Sequence, residues 1–354
     1  MIRHFLLLTA LLPAGLAGAV GWRDVLKQPV EWYDSAEART IADTVLLYQD
    51  TSGGWPKNRD MTVPSPPRPT PPDPHDSVTD ISAPTIDNDA TTTQLWLLAR
   101  VFSATHDERY QAPVLRGLDY LLVSQYANGG WPQFHPLRKG YYTLITYNDN
   151  AMVNVLEVLR EVREAREPFA WVDAARRQKA ETAIARGLDC ILRTQVKQGG
   201  QLTAWCAQHD EHTLEPAWAR NFEPPTLSGM ESVGLVRFLM SVEQPTPEII
   251  AAVEGAVAWF HAVKLTGQRV EDFTGEDGKK DRRAVADPAA PPIWARFNEL
   301  GTNRPVFTGR DKVIRYDFNE IERERRTGYV YLRDWPATLL AKDYPRWRAK
   351  HKLP

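Results

Sequence analysis

The 354-residue sequence has few cysteines, almost no net charge and no long apolar run beyond its N-terminus, and each shortage excludes a class of protein. Two cysteines, Cys190 and Cys206, cannot form a disulfide framework, and they either make one bond or stay as free thiols. Lysine and arginine number 43 against 45 acidic residues, which argues against a broad basic surface for nucleic acid. Without further apolar runs the chain cannot be a polytopic membrane protein.

The first nineteen residues have the pattern of a secretory signal. Arg3-His4 precedes an apolar run from Phe5 to Leu12, and Ala17-Gly18-Ala19 provides the small residues of a cleavage site. The apolar run is too short to cross a membrane. We therefore predict a signal peptide at residues 1–19, a single folded domain at 20–354, and a secreted or periplasmic location.

Apolar residues recur with a period near 3.6 residues through most of the remaining chain, which predicts a helical protein. A capping box of Asp34 and Glu37 is expected to open the first helix. The seven predicted helices include Ile41–Tyr48, Ala90–Phe102, Val114–Leu122, Ala151–Leu159, Ile184–Ile191, Met230–Ser241 and a segment that begins at Thr246.

The predicted helices belong to a repeat of about 70 residues. An Arg-Gly-Leu-Asp segment at 116–119 recurs at 186–189, and a Gln followed by Gly-Gly-Trp-Pro at 49–56 recurs at 125–132. Hairpins stacked around an axis predict an all-α fold, an incomplete (α/α)3 toroid of helical hairpins with long irregular loops. A linear solenoid is the alternative.

Two stretches interrupt this pattern. Pro64 to Pro74 contains seven prolines in eleven residues and is predicted to be an extended loop insertion. Gly267 to Pro292 is polar and broken by Gly and Pro, so we expect a long irregular excursion there.

Two clusters of Asp and Asn lie at equivalent places before predicted helices, Asp87-Asn88-Asp89 and Asn148-Asp149-Asn150. Helix capping is one interpretation, since Asp and Asn are favoured N-caps. Three such residues in a row at both places exceed what a cap requires. Carboxylate and amide oxygens that face each other suit a hard cation, so we predict a Ca²⁺ site. No zinc or EF-hand spacing occurs.

Two arginines lie on loops restrained by Pro and Gly: Arg220 in Trp218–Pro225 and Arg304 in Gly301–Pro305. Their forked donors match carboxylates, although a surface salt bridge is the ordinary role of any one arginine. Many of the 12 Trp and 12 Tyr residues stand beside Gly, Asn or Pro, where aromatic rings line ligand clefts or fill corners. Together these features predict a cleft for an acidic sugar polymer.

The motifs named above resemble family 10 of the polysaccharide lyases, the pectate lyases. The resemblance rests on segments in the same order along almost the whole mature chain: Gly53–Asn58, Ile86–Thr91, Asn128–Gln133, Tyr147–Met152, Trp218–Pro225 and Gly301–Phe307. It implies a toroid of three hairpins, dependence on Ca²⁺, and cleavage of polygalacturonate by β-elimination to 4,5-unsaturated products. The proline-rich insertion at Pro64 to Pro74 departs from the family pattern.

The resemblance also implies roles for single residues. Arg220 is expected to be the catalytic base, and Asp87 and Asp149 are the expected metal ligands. Asn88, Arg304, Lys57 and Trp131 are the expected substrate-binding residues. The expected partner is the polysaccharide alone, bound by a monomer, without nucleic acid or membrane.

The chemistry of β-elimination agrees with these residues but leaves the base as a difficulty. The C5 proton is weakly acidic because the anion forms beside a carboxylate, and a cation would stabilise it. A guanidinium scarcely deprotonates at ordinary pH, so Arg220 needs desolvation, nearby cations or alkaline conditions. A glycoside hydrolase using Asp87 and Asp149, a noncatalytic pectin-binding protein and a triterpene cyclase remain as alternatives.

Overall fold

Helices form most of the regular structure in the residues that the computed structural model describes, 19–64 and 83–353. Nearly all of the predicted signal peptide and residues 65–74 of the proline-rich insertion lie outside the described residues. Within them no helix combines the length and apolar character needed to cross a bilayer. The α-helices are α1 (Ala36–Leu46), α2 (Thr92–Thr105), α3 (Gln111–Val123), α4 (Ala151–Arg163), α5 (Ala174–Thr194), α6 (Glu231–Met240), α7 (Pro247–Ala262), α8 (Arg323–Gly328) and α9 (Tyr344–His351).

The strands are short and pair two by two, always antiparallel: β1 with β4, β2 with β3, β5 with β9, β6 with β7, β8 with β12, and β10 with β11. Their bounds are β1 (Ile145–Thr146), β2 (Lys197–Gln198), β3 (Gln201–Leu202), β4 (Gln208–His209), β5 (Thr226–Ser228), β6 (Gln268–Thr274), β7 (Lys280–Ala286), β8 (Trp294–Ala295), β9 (Phe297–Glu299), β10 (Phe307–Thr308), β11 (Ile314–Arg315) and β12 (Leu332–Arg333).

Six of the helices pack as three consecutive hairpins, α2–α3, α4–α5 and α6–α7. Helix α4 contacts both α2 and α6, while α5 contacts both α3 and α7, so the hairpins form an inner and an outer arc. This arrangement confirms the predicted all-α toroid of three hairpins. One large apolar cluster fills it and extends to Trp347 in α9.

A glutamine fastens each outer helix to the next one. Gln125, just after α3, donates from Nε2 to the carbonyls of Gly129 at 3.0 Å and of Ala183 in α5 at 2.9 Å. Gln49 and Gln195 make the equivalent pairs of bonds, to Gly53 and Pro113, and to Thr203 and Ala252. The repeat predicted from the sequence is therefore also a repeat of the structure, because the same glutamine contact joins successive units.

The tryptophans of the repeat lie in the core and do not line a cleft. The rings of Trp55, Trp131 and Trp205 are fully buried. Each donates its Nε1–H to a carbonyl near the end of the preceding outer helix, at Val45, Leu121 and Ile191 respectively. A ring in this position cannot stack on a sugar.

Local details differ from the sequence predictions at two places. Helix α1 is capped by Ser35, whose Oγ accepts from the Ala38 N–H, while Glu37 accepts from Val20 and Trp32. The expected irregular excursion at 267–292 contains the β6–β7 hairpin, the longest strands among the described residues.

The two cysteines are buried free thiols.

Candidate functional site

The two Asp/Asn clusters form 3-10 turns, Asp87–Asp89 before α2 and Asn148–Asn150 before α4, and these turns contact each other. Asn88 and Asp149 both have φ of +51°, in the left-handed region, and Asp89 and Asn150 follow with +60° and +62°. Asn and Asp tolerate this conformation better than other non-glycine residues. The backbone therefore favours these residue types at equivalent positions of both repeats.

Capping does not explain the clusters. Neither α2 nor α4 receives a hydrogen bond from an N-cap side chain, and neither 3-10 turn does. The polar side chains bond to partners across the site instead. Asp89, for example, accepts from the Asn154 amide at 2.7 Å.

Asp87 is a buried carboxylate with one oxygen left over. Its Oδ2 accepts from Lys57 Nζ at 2.7 Å, and Lys57 in turn lies 5.5 Å from the centre of the Phe134 ring. Its Oδ1 is buried without a hydrogen-bond partner. Buried polar atoms are nearly always satisfied in folded proteins, so Oδ1 is a site for a donor or a cation.

Asp149 is held by two neighbours and stays one-third exposed. Its Oδ1 accepts from Arg296 Nη2 at 3.1 Å, and its Oδ2 accepts from the Asn148 amide at 2.8 Å. Burial raises the pKa of the Asp149 carboxyl, against the opposing effect of Arg296. The charges of Glu231 and Asp87 raise it further, and Arg220 opposes them. Asp149 therefore lies within electrostatic reach of Asp87 and of Arg220.

Arg296 is a site residue that the sequence analysis missed. It is buried, and its Nη2 bonds to Asp149, Asn148 and the buried carboxylate of Glu231. A signal existed, because the tripeptide Trp-Ala-Arg occurs at 218–220 and again at 294–296. The guanidinium carbons of Arg296 and Arg220 lie 4.5 and 5.8 Å from the centre of the Tyr329 ring.

Arg220 is paired with a buried glutamate in its own loop. Its Nε and Nη2 donate to the two carboxylate oxygens of Glu223 at 2.9 and 2.6 Å. Burial by itself would lower the pKa of Arg220, but the charge and hydrogen bonding of Glu223, together with the nearby Tyr329 and Tyr141, outweigh it and hold that pKa well above its ordinary value. The side chain keeps 34% of its surface exposed and so remains accessible to a ligand.

The other predicted substrate residues fall into different places. Asn88 is exposed beside the cluster, where its amide donates to Asn58 Oδ1 at 3.0 Å. Trp131 is fully buried and cannot contact a substrate, because its Gly-Gly-Trp-Pro loop turns the ring inwards. Arg304 is exposed on a turn, with its guanidinium 3.7 Å from the centre of the Tyr316 ring. Among the described residues it makes no hydrogen bond or ion pair with Asp87, Asp149 or Arg220.

The carboxylates fit a cation that the protein shares with a ligand. Asp87 offers an unpartnered buried oxygen, and oxygen is the donor that Ca²⁺ prefers. Within residues 19–64 and 83–353 no three His, Cys, Asp or Glu side chains come together as a metal site. Since Ca²⁺ takes six to eight oxygens, a ligand and water would have to complete the coordination.

Comparison with known proteins identifies the family of this chain. A search of curated proteins gave no match. The solved structure of a family 10 polysaccharide lyase from Cellvibrio cellulosa matches with a TM-score of 0.76 and 35% identity, over 91% of this chain and 95% of that one. A mutant of that lyase in complex with trigalacturonic acid matches with a TM-score of 0.75 and 35% identity, over 90% and 95%. The pectic acid lyase family model matches residues 49–340, and the chain belongs to this family of pectate lyases.

Proposed function

We propose that this pectate lyase is exported and, as a monomer, cleaves polygalacturonate by calcium-assisted β-elimination with Arg220 as the base. One observation supports this most directly: the turns that carry Asp87 and Asp149 contact each other, and Arg220, from a distant loop, lies within electrostatic range of Asp149. The trigalacturonic acid complex of the Cellvibrio lyase supports the choice of substrate. Residues 1–19 would direct export, and N-terminal sequencing of the exported protein tests that cleavage.

The substrate carboxylate would lie among the positive groups of the site. Lys57 and Arg220 are both partly exposed there, and each keeps a charged end near a buried acid. The exposed Asn88 amide would donate to a sugar hydroxyl. When bound between Asp87, Asp149 and the uronate, Ca²⁺ would neutralise the carboxylate and stabilise negative charge at C5.

The residues of the chain perform the proton transfer. Arg220, in its neutral form, takes the proton from C5, and the electron pair of that C–H bond forms the C4–C5 double bond. The bond between C4 and the glycosidic oxygen then breaks, and that oxygen leaves with a proton from solvent. Since Glu223 keeps the pKa of Arg220 high, the neutral form is scarce, and the rate should rise as the pH becomes more alkaline.

Ultraviolet absorbance of the conjugated product tests this function on polygalacturonate. A base acts in the transition state, so Arg220→Ala should lower kcat by about a hundredfold or more with little change in KM. Arg220→Lys should not restore it, because lysine keeps the charge but loses the planar fork.

The matched control is Arg304→Ala, which removes another exposed loop arginine that stacks on an aromatic ring. It should leave kcat nearly unchanged. Substantial kcat in Arg220→Ala would place the base elsewhere, and Asp87 would be the first candidate.

A further inference from the structure

Four donors converge on the carboxylate of Glu223. Three belong to Arg220: its Nε, its Nη2 and its backbone N–H, at 2.9, 2.6 and 3.3 Å. The fourth is the hydroxyl of Tyr329, at 2.9 Å from Oε1. Glu223 is only 1% exposed, so its carboxylate acts on these neighbours and not on solvent.

The turn that carries this pair is itself closed by backbone bonds. The Glu223 N–H donates to the Arg220 carbonyl at 2.8 Å, and the Ala219 N–H donates to the Glu223 carbonyl at 3.2 Å. Pro224 and Pro225 follow at once and restrict the backbone further. The ion pair therefore loses little entropy when it forms, unlike an ordinary surface pair.

This pairing fixes which edge of the guanidinium is used. Because the group is planar, engagement of Nε and Nη2 turns Nη1 away from Glu223. Two rings limit movement of the plane, Phe222 at 4.8 Å and Tyr329 at 5.8 Å from Cζ. Arg220 is thereby held in one orientation, with one nitrogen directed away from its partner.

We propose that Glu223 is a positioning residue of the elimination: it holds Arg220 so that Nη1 meets the C5 proton of the bound uronate. The inference rests on the proposed role of Arg220 as base. Glu223 does not touch the substrate, and it acts only through the guanidinium. This arrangement also has a disadvantage for catalysis, because the negative charge of Glu223 makes Arg220 harder to deprotonate.

Two substitutions at Glu223 test this positioning role, and each should disturb the hold on Arg220 in a different way. Glu223→Asp keeps the charge and shortens the side chain by one methylene, and Glu223→Gln keeps the size and removes the charge. Both should lower kcat by about tenfold or more while KM changes little, because the orientation of a base matters only in the transition state. Wild-type kcat in both variants would overturn the proposal.

Asp281→Asn is the matched control, since Asp281 is a buried acid paired with Arg323 and Arg326, and among the described residues it bonds to none of Arg220, Glu223 and Tyr329. It should lower the melting temperature with kcat and KM near wild type. The opposite result would be Glu223 variants that combine a lower kcat with a matching rise in KM and a lower melting temperature. Their effect would then be structural, and the proposal fails.

Rescue of activity by added guanidinium gives a second test. It uses Arg220→Ala, so it does not depend on whether the single Glu223 variants fold. In Arg220→Ala, Glu223 keeps its carboxylate, so millimolar guanidinium should bind there and restore part of the activity. Rescue should be much weaker in Arg220→Ala/Glu223→Gln, and equal rescue in the two proteins would contradict the proposal. An active Arg220→Ala without guanidinium would instead refute the proposed base, which keeps the two failures distinct.

Discussion

At the scale of single residues, charge and backbone conformation together favour an aspartate at position 149. Its φ of +51° favours Asn or Asp, and its carboxyl is the one that reaches both Arg296 and the proposed metal. Asn satisfies the backbone requirement without the charge. Comparison of Asp149→Asn with Asp149→Ala therefore separates the effect of the charge from the effect of the backbone conformation.

Asp149→Asn should lose activity and gain stability at neutral pH. Folding raises the pKa of this carboxyl, so its ionised form destabilises the fold above that pKa. The gain in melting temperature should shrink as the pH falls and the wild-type carboxyl becomes protonated. Asp149→Ala should melt below Asp149→Asn, since alanine pays about 1 kcal/mol or more for the left-handed backbone. Near-normal turnover of Asp149→Asn would remove Asp149 from the proposed mechanism.

His209 should make the protein sensitive to acid. Burial lowers its pKa to about 4, and its ring accepts from the Cys206 N–H while it bonds to the Leu214 carbonyl. The unfolded chain binds this proton near pH 6.5, so stability should be lost as the pH falls from there towards 4. Thermal melts across this range check it, with His209→Gln as the variant that should lose the dependence. A wild-type melting temperature that stays constant between pH 6.5 and 4 would contradict this.

The sequence indicated which loops and turns carry the candidate site residues, but not the direction of every side chain. Asp87, Asp149 and Arg220 were predictable because polar residues cluster before helices and on restrained loops. Trp131 was assigned wrongly because a Gly-Gly-Trp-Pro loop shows where the chain turns but not that the ring points inwards. Arg296 was missed because a single arginine between apolar residues looks like part of a buried strand.

At the scale of elements, the glutamine contacts between outer helices should determine how firmly the hairpins are joined. Gln125→Ala removes two bonds to backbone carbonyls and should lower the free energy of unfolding by about 1–3 kcal/mol. Denaturant unfolding measures this. Gln178→Ala, an exposed glutamine on the adjacent helix α5, is the control and should have little effect. Equal stability of the two variants would show that packing alone joins the repeats.

The helices were predictable from periodicity, whereas the β6–β7 hairpin was not. Most residues of this hairpin are polar and only partly buried, so it lacks the alternation of apolar and polar residues that marks a strand. Charge pairs across the strands hold it instead, Glu271 with Arg283 and Asp272 with Arg282, each directly opposite in register. Such pairs cannot be identified from the sequence until the register of the two strands is known.

At the scale of the whole molecule, the chain alone should bind calcium weakly. It offers Asp87 and Asp149 but no cluster of three acidic or His/Cys ligands among the described residues. Calcium should therefore raise the melting temperature of Arg220→Ala only slightly without ligand, and clearly more with trigalacturonic acid present. EDTA should abolish wild-type activity without lowering the melting temperature of the substrate-free protein. Full activity after exhaustive chelation would contradict this, and Mg²⁺ should substitute poorly.

The fold class and the family were both accessible from the sequence, because the repeat and the ordered motifs extend along the chain. Family membership places the protein among lyases and not among hydrolases or triterpene cyclases, although Asp87 and Asp149 alone fitted a hydrolase. What sequence could not give was the way that the repeats share their partners. Arg296 and Tyr329 come from the region after the last hairpin, yet Arg296 returns to Asp149 at the start of the second hairpin, and Tyr329 returns to Glu223 before the third.

This return has a consequence for the order of events during synthesis. A ribosome that has just added Arg220 has already made Asp87, Asp149 and the proposed base, yet Arg296, which binds Asp149, is still to be synthesised. Tyr329, which completes the contacts of Glu223, arrives later still. The proposed catalytic residues are therefore synthesised before the residues that hold them, and the site can be completed only after Tyr329 has emerged.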